Sequence, residues 1–130
     1  MDFNKMVPEL TVFNIKESKH FYIKMLGFKI IFERPEDNFI FIELNGTQLM
    51  LEEYHKDGWN VGDMRYPLGQ GINFEIEVKD INTLYENLSN NQITFYKELK
   101  ETIYKVEGDS TLQKEFIVQD PNGYMLRFVS

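Results

Sequence analysis

Cysteine is absent from the 130 residues. That excludes a disulfide framework, a thiol nucleophile and a thiolate metal site. Histidine is scarce, with only His20 and His55. Basic residues are outnumbered, 14 Lys and Arg against 21 Asp and Glu, for a net charge of −7 and a pI near 4.8. Nucleic-acid binding rests on cationic side chains that neutralise phosphates, so DNA and RNA are poor partners for this chain. A cationic ligand suits it better. No apolar run approaches the ~20 residues of a membrane-spanning helix, so no membrane partner is expected. The opening MDFNKMVPEL lacks the basic and apolar regions of a secretory leader, which points to a cytoplasmic protein. There is no Gly-x-Ser-x-Gly elbow, P-loop or dinucleotide fingerprint.

What the chain does have is ring and repeat. Phe, Tyr and Trp make up 15% of it, as 11 Phe, 7 Tyr and 1 Trp, more than a small core needs. VFNIKESKHFY at Val12 resembles VKDINTLYENL at Val78, 66 positions on. Each reads as a strand end, an N-capping Asn14 or Asp80, and a helix. In the first, Glu17 stands three residues after Asn14 as in a capping box. Ile15, Tyr22, Met25 and Leu26 mark the apolar stripe of the first helix; Ile81, Leu84, Tyr85 and Leu88 mark that of the second. FIELNGTQLML resembles IVQDPNGYMLRF, with Asn45-Gly46 matching Asn122-Gly123, 77 positions on. Each Asn-Gly is a hairpin signal, because both residues accept φ > 0. The second copy holds extra residues, expected as a longer loop within Glu98–Gln113.

The reading is an α+β fold, one domain over 1–130. It contains two tandem βαβββ units, about 5–54 and 71–130, joined by a connector at 55–70. Loops of that length are often lids or binding loops, and this one carries Trp59 and Tyr66. Strand alternation separates two faces. Leu10, Val12, Leu49, Leu51, Phe74, Ile76, Leu126 and Phe128 form the apolar set, which the helices must cover. Opposite them lie Val7, Glu9, Thr11, Gln48, Met50, Glu52, Asn73, Glu75, Glu77 and one cation, Arg127. The two repeat intervals map Val7 onto Asn73 and Met50 onto Arg127, so these four positions should converge.

The tandem βαβββ pattern, SKHFYIKMLGF at Ser18–Phe28 and the terminal DPNGYMLRF resemble the vicinal oxygen chelate superfamily. This superfamily includes glyoxalase I, extradiol dioxygenases and the bleomycin-resistance proteins. The resemblance spans nearly the whole chain. It implies a curved-sheet cup with helices on the outer face. In the family's metal enzymes the ligands would fall here at Val7, Met50, Asn73 and Arg127. Val has no donor atom, Met is soft, Asn is weak and neutral, and Arg is permanently cationic. Neither His20 nor His55 falls at a ligand position. No metal, cofactor or catalytic residue is therefore assigned. The bleomycin-resistance branch is the metal-free one, and TQLMLEEYH and LQKEFIVQDPNGYMLRF resemble it. That resemblance implies a homodimer sequestering a small-molecule antibiotic, or another aromatic cationic ligand, in crevices between subunits. Trp59, Glu52, Tyr54, Phe32, Phe41, Tyr66 and Arg127 are the expected ligand contacts. The alternative is a metal-dependent enzyme of the same fold with a displaced site, drawing on Glu52, Glu53, Glu75 and His55.

Overall fold

The computed structural model describes residues 2–130. Two four-stranded sheets carry the repeat. The first unit contains β1 (Glu9–Val12), α1 (Ile15–Lys19), β2 (Lys29–Arg34), β3 (Phe39–Leu44) and β4 (Thr47–Glu53), with sheet order β1-β4-β3-β2. The second contains β5 (Asn73–Glu77), α2 (Ile81–Asn90), β6 (Phe95–Val106), β7 (Asp109–Gln119) and β8 (Met125–Val129), ordered β5-β8-β7-β6. Each sheet repeats the same pairing: the strand before the helix lies parallel to the last strand of its unit, and the remaining pairs are antiparallel. The fold is α+β.

Both helices begin where the caps predict. Asn14 Oδ1 accepts the Glu17 N–H at 2.9 Å, and Asp80 accepts the Thr83 N–H at 3.1 Å and its hydroxyl at 2.7 Å. Each satisfies a donor that the first helical turn leaves free. The first helix then departs from a simple 3.6-residue stripe. After Lys19 the chain widens into a π-helical segment, His20–Met25, in which the Leu26 N–H reaches the Phe21 carbonyl. The wider turn lets the adjacent Phe21 and Tyr22 both enter the core, at 3% and 0% exposure, which the regular periodicity did not predict.

The apolar strand set forms the core as expected. Leu10, Val12, Leu49, Leu51, Ile76, Leu126 and Phe128 are buried together with Phe21, Tyr22, Leu26, Ile81 and Leu88 from the helical segments, in a cluster drawn from both units. Polar contacts also join the units. The Tyr22 hydroxyl donates to Asp120 Oδ2 at 2.7 Å, Asn122 Nδ2 donates to Ser18 Oγ at 3.3 Å, and the Phe13 N–H donates to Asn122 Oδ1 at 2.8 Å. The two Asn-Gly turns therefore differ. Asn45 and Gly46 both take positive φ, 48° and 91°. In the second turn only Gly123 does, at 103°. Pro121 and Asn122 occupy the centre of a turn closed by the Gly123 N–H on the Asp120 carbonyl at 3.0 Å. Asn122, 1% exposed, serves as a pin into the first unit rather than as a left-handed turn residue.

The extra residues of the second unit correct the sequence reading. They form no loop: β6 and β7 run on as a two-stranded arm turning at Glu107-Gly108, with Ile103 paired to Leu112 near its end. Ladder hydrogen bonds satisfy the backbone there, while the side chains see solvent.

Candidate functional site

The face opposite the core brings together what alternation assigned to it. On the first sheet Phe41 pairs with Met50 and Phe39 with Glu52, while Glu9 sits beside Met50 and Thr11 beside Glu52. Phe32 on β2 lies flat against Phe41, ring centroids 5.2 Å apart and planes 16° apart. Phe3 meets Phe41 edge-on at 5.2 Å and Phe32 at 6.3 Å. Phe41 is thus sealed at 4% exposure, whereas Phe32 remains 39% exposed. Of the two expected Phe contacts, Phe32 can offer a ring to a ligand and Phe41 backs it. The strap that carries Phe3 is pinned in place: Gln48 Oε1 accepts the Asn4 N–H at 2.7 Å, and Gln48 Nε2 donates to the Asp2 carbonyl at 2.9 Å. Arg34 lies over the Phe39 ring at 4.0 Å.

Carboxylates crowd the same wall. Partial burial, then repulsion from Glu52, raises the Glu9 carboxyl above the ordinary glutamate range; Arg34 pulls it partly back. Glu52 also faces His55 at 3.5 Å. A polar cleft of about 270 Å³ at this end is lined by Glu36, Asp37, Asn38, Glu52, Tyr54 and His55.

On the second sheet, Arg127 is flanked by Glu75 on β5 and Ile117 on β7. Its Nη1 stands 3.4 Å from Glu75 Oε1 and 3.7 Å from Glu115 Oε2. Arg127 therefore projects onto the open face and shares its charge between two carboxylates. Glu115 is buried, and its Oε1 accepts the Tyr104 hydroxyl at 2.8 Å. That bond, with some burial and the Glu115 charge, raises the Tyr104 phenol above its ordinary range. The sheets approach each other at a cleft of about 330 Å³, lined by Met6, Pro8, Gln48, Asn73 and Glu75 among others.

The connector is held by its second half. Leu68 is buried and its N–H donates to the Asn122 carbonyl at 2.8 Å. Its large aromatics do not anchor it: Trp59 is 94% and Tyr66 61% exposed. Tyr54, at 44% exposure, follows β4 beside Glu52. The seven expected contacts thus divide. Phe32, Phe41, Glu52 and Arg127 lie on the open face, Tyr54 borders it, and Trp59 and Tyr66 project from the connector. Sequence reasoning passed over Phe3, Tyr104 and Glu115. Alternation could have found Glu115, since Phe116 and Val118 face the core and Glu115, Ile117 and Gln119 must face away.

The donor set at the four positions expected to converge does not fit a divalent ion. Val7 offers no donor atom, Met50 offers only a thioether, Asn73 is neutral, and the Arg127 cation is already shared by Glu75 and Glu115. Among the described residues, no three His, Asp or Glu side chains converge in a ligand set elsewhere. No helix among them is long and apolar enough to cross a membrane.

Paired βαβββ units, each a four-stranded sheet with an open face opposite its core side, define the class of fold. A family model described as the glyoxalase/bleomycin resistance protein/dioxygenase superfamily matches residues 5–128, and the chain belongs to that superfamily. Among solved structures, a superfamily member from Vibrio splendidus is 34% identical over 93% of each chain, with a TM-score of 0.41. A glyoxalase/bleomycin resistance protein/dioxygenase from Alicyclobacillus acidocaldarius is 25% identical over 97% of this chain and 89% of its own, with a TM-score of 0.65. A virulence protein from Salmonella typhimurium is 15% identical over 99% and 98%, at 0.70, a likeness of fold alone. No curated protein matches the chain.

Proposed function

We propose that this protein binds a flat, cationic small molecule on its open face without metal chemistry, and that bleomycin-type glycopeptide antibiotics are such ligands, sequestered by a cytoplasmic homodimer. The observation that carries the reading is the aromatic wall. Phe32 offers a partly exposed ring backed by Phe41, with Glu52 and Glu9 further across the same face of the sheet. A planar ring stacked there gains about 0.5–1.5 kcal/mol beyond its buried area, and a cation gains from both ring and carboxylates. The vacated metal positions support binding over Lewis-acid catalysis. The dimer is supported by Trp59 and Val61, each 94% exposed, and by Tyr66, apolar surface that a second copy would cover. Of the groups the metal-enzyme alternative would draw on, Glu53 is taken up by the Ile15 N–H and Asn38 Nδ2 and Glu75 by Arg127, and the remaining His55 and Glu52 are too few to favour it.

Isothermal titration with metal-loaded bleomycin tests the reading, with Trp59, the one tryptophan, as fluorescent reporter. Binding heat at micromolar drug, and sedimentation as a dimer, are expected. Absence of both heat and emission change refutes antibiotic binding, and a monomer at those concentrations refutes the shared crevice.

A further inference from the structure

Glu115 is the most heavily buried acidic side chain on the open face after Asp120 is set aside in its turn. It is 7% exposed, yet only one of its oxygens is satisfied. Oε1 takes the Tyr104 hydroxyl at 2.8 Å and lies 3.5 Å from the Thr102 hydroxyl. No donor among the described residues reaches Oε2. A buried acceptor left without a donor is costly, about 1–3 kcal/mol, and rare enough in native folds to require a reason. The nearest cation, Arg127 Nη1, stops 3.7 Å away because it also leans toward Glu75 Oε1 at 3.4 Å. Both distances exceed the 2.7–2.9 Å of a good charge-assisted hydrogen bond. Here two carboxylates share one guanidinium, and neither holds it well.

The two acids differ in a way that gives the arrangement a direction. The Glu75 side chain is 49% exposed and that of Glu115 only 9%, with Arg127 between them at 29%. Arg127 can swing outward onto Glu75 and remain paired, in contact with water. The Glu115 carboxylate, held by Tyr104, would then face the open side with a free, desolvated oxygen. Electrostatic attraction at such a site exceeds that of any surface carboxylate.

We propose that Glu115 anchors the ligand through a cationic N–H group, an amidinium, guanidinium or ammonium, which takes the place of Arg127 over Oε2 as Arg127 moves to Glu75. The inference rests on the reading that the open face binds a cationic small molecule. It adds the residue that selects the charge, and it makes Arg127 a gate rather than a contact. Tyr104 is a positioning residue, since its hydroxyl fixes the carboxylate and leaves the outer oxygen for the ligand. Anions are rejected, because Arg127 is already flanked by two carboxylates.

The test is an NMR titration of the full chain with benzamidinium, with benzyl alcohol as the neutral ring-bearing control. Benzamidinium is expected to shift the Glu115 side-chain Cδ and the Arg127 Nε–Hε resonances together, and benzyl alcohol to leave both unmoved. Glu115→Gln is expected to weaken benzamidinium by about tenfold or more, the scale of a lost hydrogen bond to a charged group. Benzamidinium binding to E115Q within threefold of the unaltered chain overturns the proposal. So does saturation of the unaltered chain with no movement at Glu115, a readout that stands even where E115Q fails to fold. Bleomycin separates the two ideas. If it binds E115Q as it binds the unaltered chain, the anchor is wrong and the antibiotic reading survives. If it fails on both chains while benzamidinium still requires Glu115, the anchor stands and the antibiotic reading falls.

Discussion

Asp120 is the joint between the two units, and its removal is expected to be among the most damaging single changes in the chain. The side chain is 3% exposed. Its Oδ1 accepts the Asn122 N–H at 2.8 Å and the Tyr124 N–H at 2.9 Å; its Oδ2 accepts the Tyr22 hydroxyl at 2.7 Å and Asn122 Nδ2 at 3.0 Å. Asp120→Ala orphans the Tyr22 hydroxyl and the Asn122 and Tyr124 N–H groups in a dry site, while Asn122 Nδ2 keeps Ser18 Oγ. Each orphan costs about 1–3 kcal/mol, but losses within one network are less than additive, so about 3–5 kcal/mol is expected. Tyr22→Phe removes one donor together with its need for a partner and is expected to cost about 1.5–3 kcal/mol, the value of a hydrogen bond to a charged acceptor. The double variant should then lose about 1–3 kcal/mol less than the two single losses combined, because the phenol is no longer stranded. Urea unfolding followed by far-UV circular dichroism measures the cycle; the exposed Trp59 makes fluorescence a poor reporter of this core. A loss below about 1 kcal/mol for Asp120→Ala, or no coupling with Tyr22→Phe, would refute the assignment of this turn as the inter-unit lock.

Two further outcomes follow from the same corner of the molecule. Burial, the largest influence, raises the Asp120 carboxyl above the ordinary aspartate range, while hydrogen bonds from Asn122, Tyr22 and Tyr124 oppose it. The folded chain therefore holds this proton more tightly than the unfolded chain, and the resulting stability is complete below the unfolded pKa and lost as pH rises through the folded one. Relative to Asp120→Asn, the unaltered chain should lose stability across that window in urea titrations from about pH 3 to 7, and the opposite slope would contradict the burial argument. A Cβ at position 123 would lie 2.5 Å from Pro67 Cβ and 2.6 Å from its Cα, on a backbone at φ +103°. Gly123→Ala should thus cost about 2–4 kcal/mol from overpacking and strain and open the connector to proteases. Thermal unfolding and limited proteolysis of residues 55–70 check this, and an unchanged cleavage rate would detach the connector from the turn.

The parts of the fold legible in the sequence are those where one side of an element meets the core. Leu49, Leu51, Leu126 and Phe128 alternate with Met50 and Arg127 because every second side chain must leave water, and Asn14 and Asp80 mark helix starts because free N–H groups need an acceptor. The arm shows the converse. Beyond Leu99, which still packs on the core, the residues of β6 out to Val106 are mostly exposed on both faces, so little apolar alternation exists to read, and the strand is set by backbone pairing with β7. The same logic divides the candidate site. Arg127 was legible because its neighbours on β8 are core residues, and its partner Glu75 because Ile76 is. Alternation with Phe116 and Val118 could place Glu115 on the open face, but not bury it there, because its cover, Tyr104, sits in the arm, where sequence pattern carries no register. Phe41 was expected only as a stacking contact, and its burial was not foreseeable. It depends on Phe3, which a non-periodic strap lays across the sheet through Asn4 and Gln48. The core strands place Glu75, Glu115 and Arg127 on one face, but the arm and the strap that complete that face carry little periodic pattern, so its chemistry is read from distances between Glu75, Arg127, Glu115 and Tyr104 rather than from spacing along the chain.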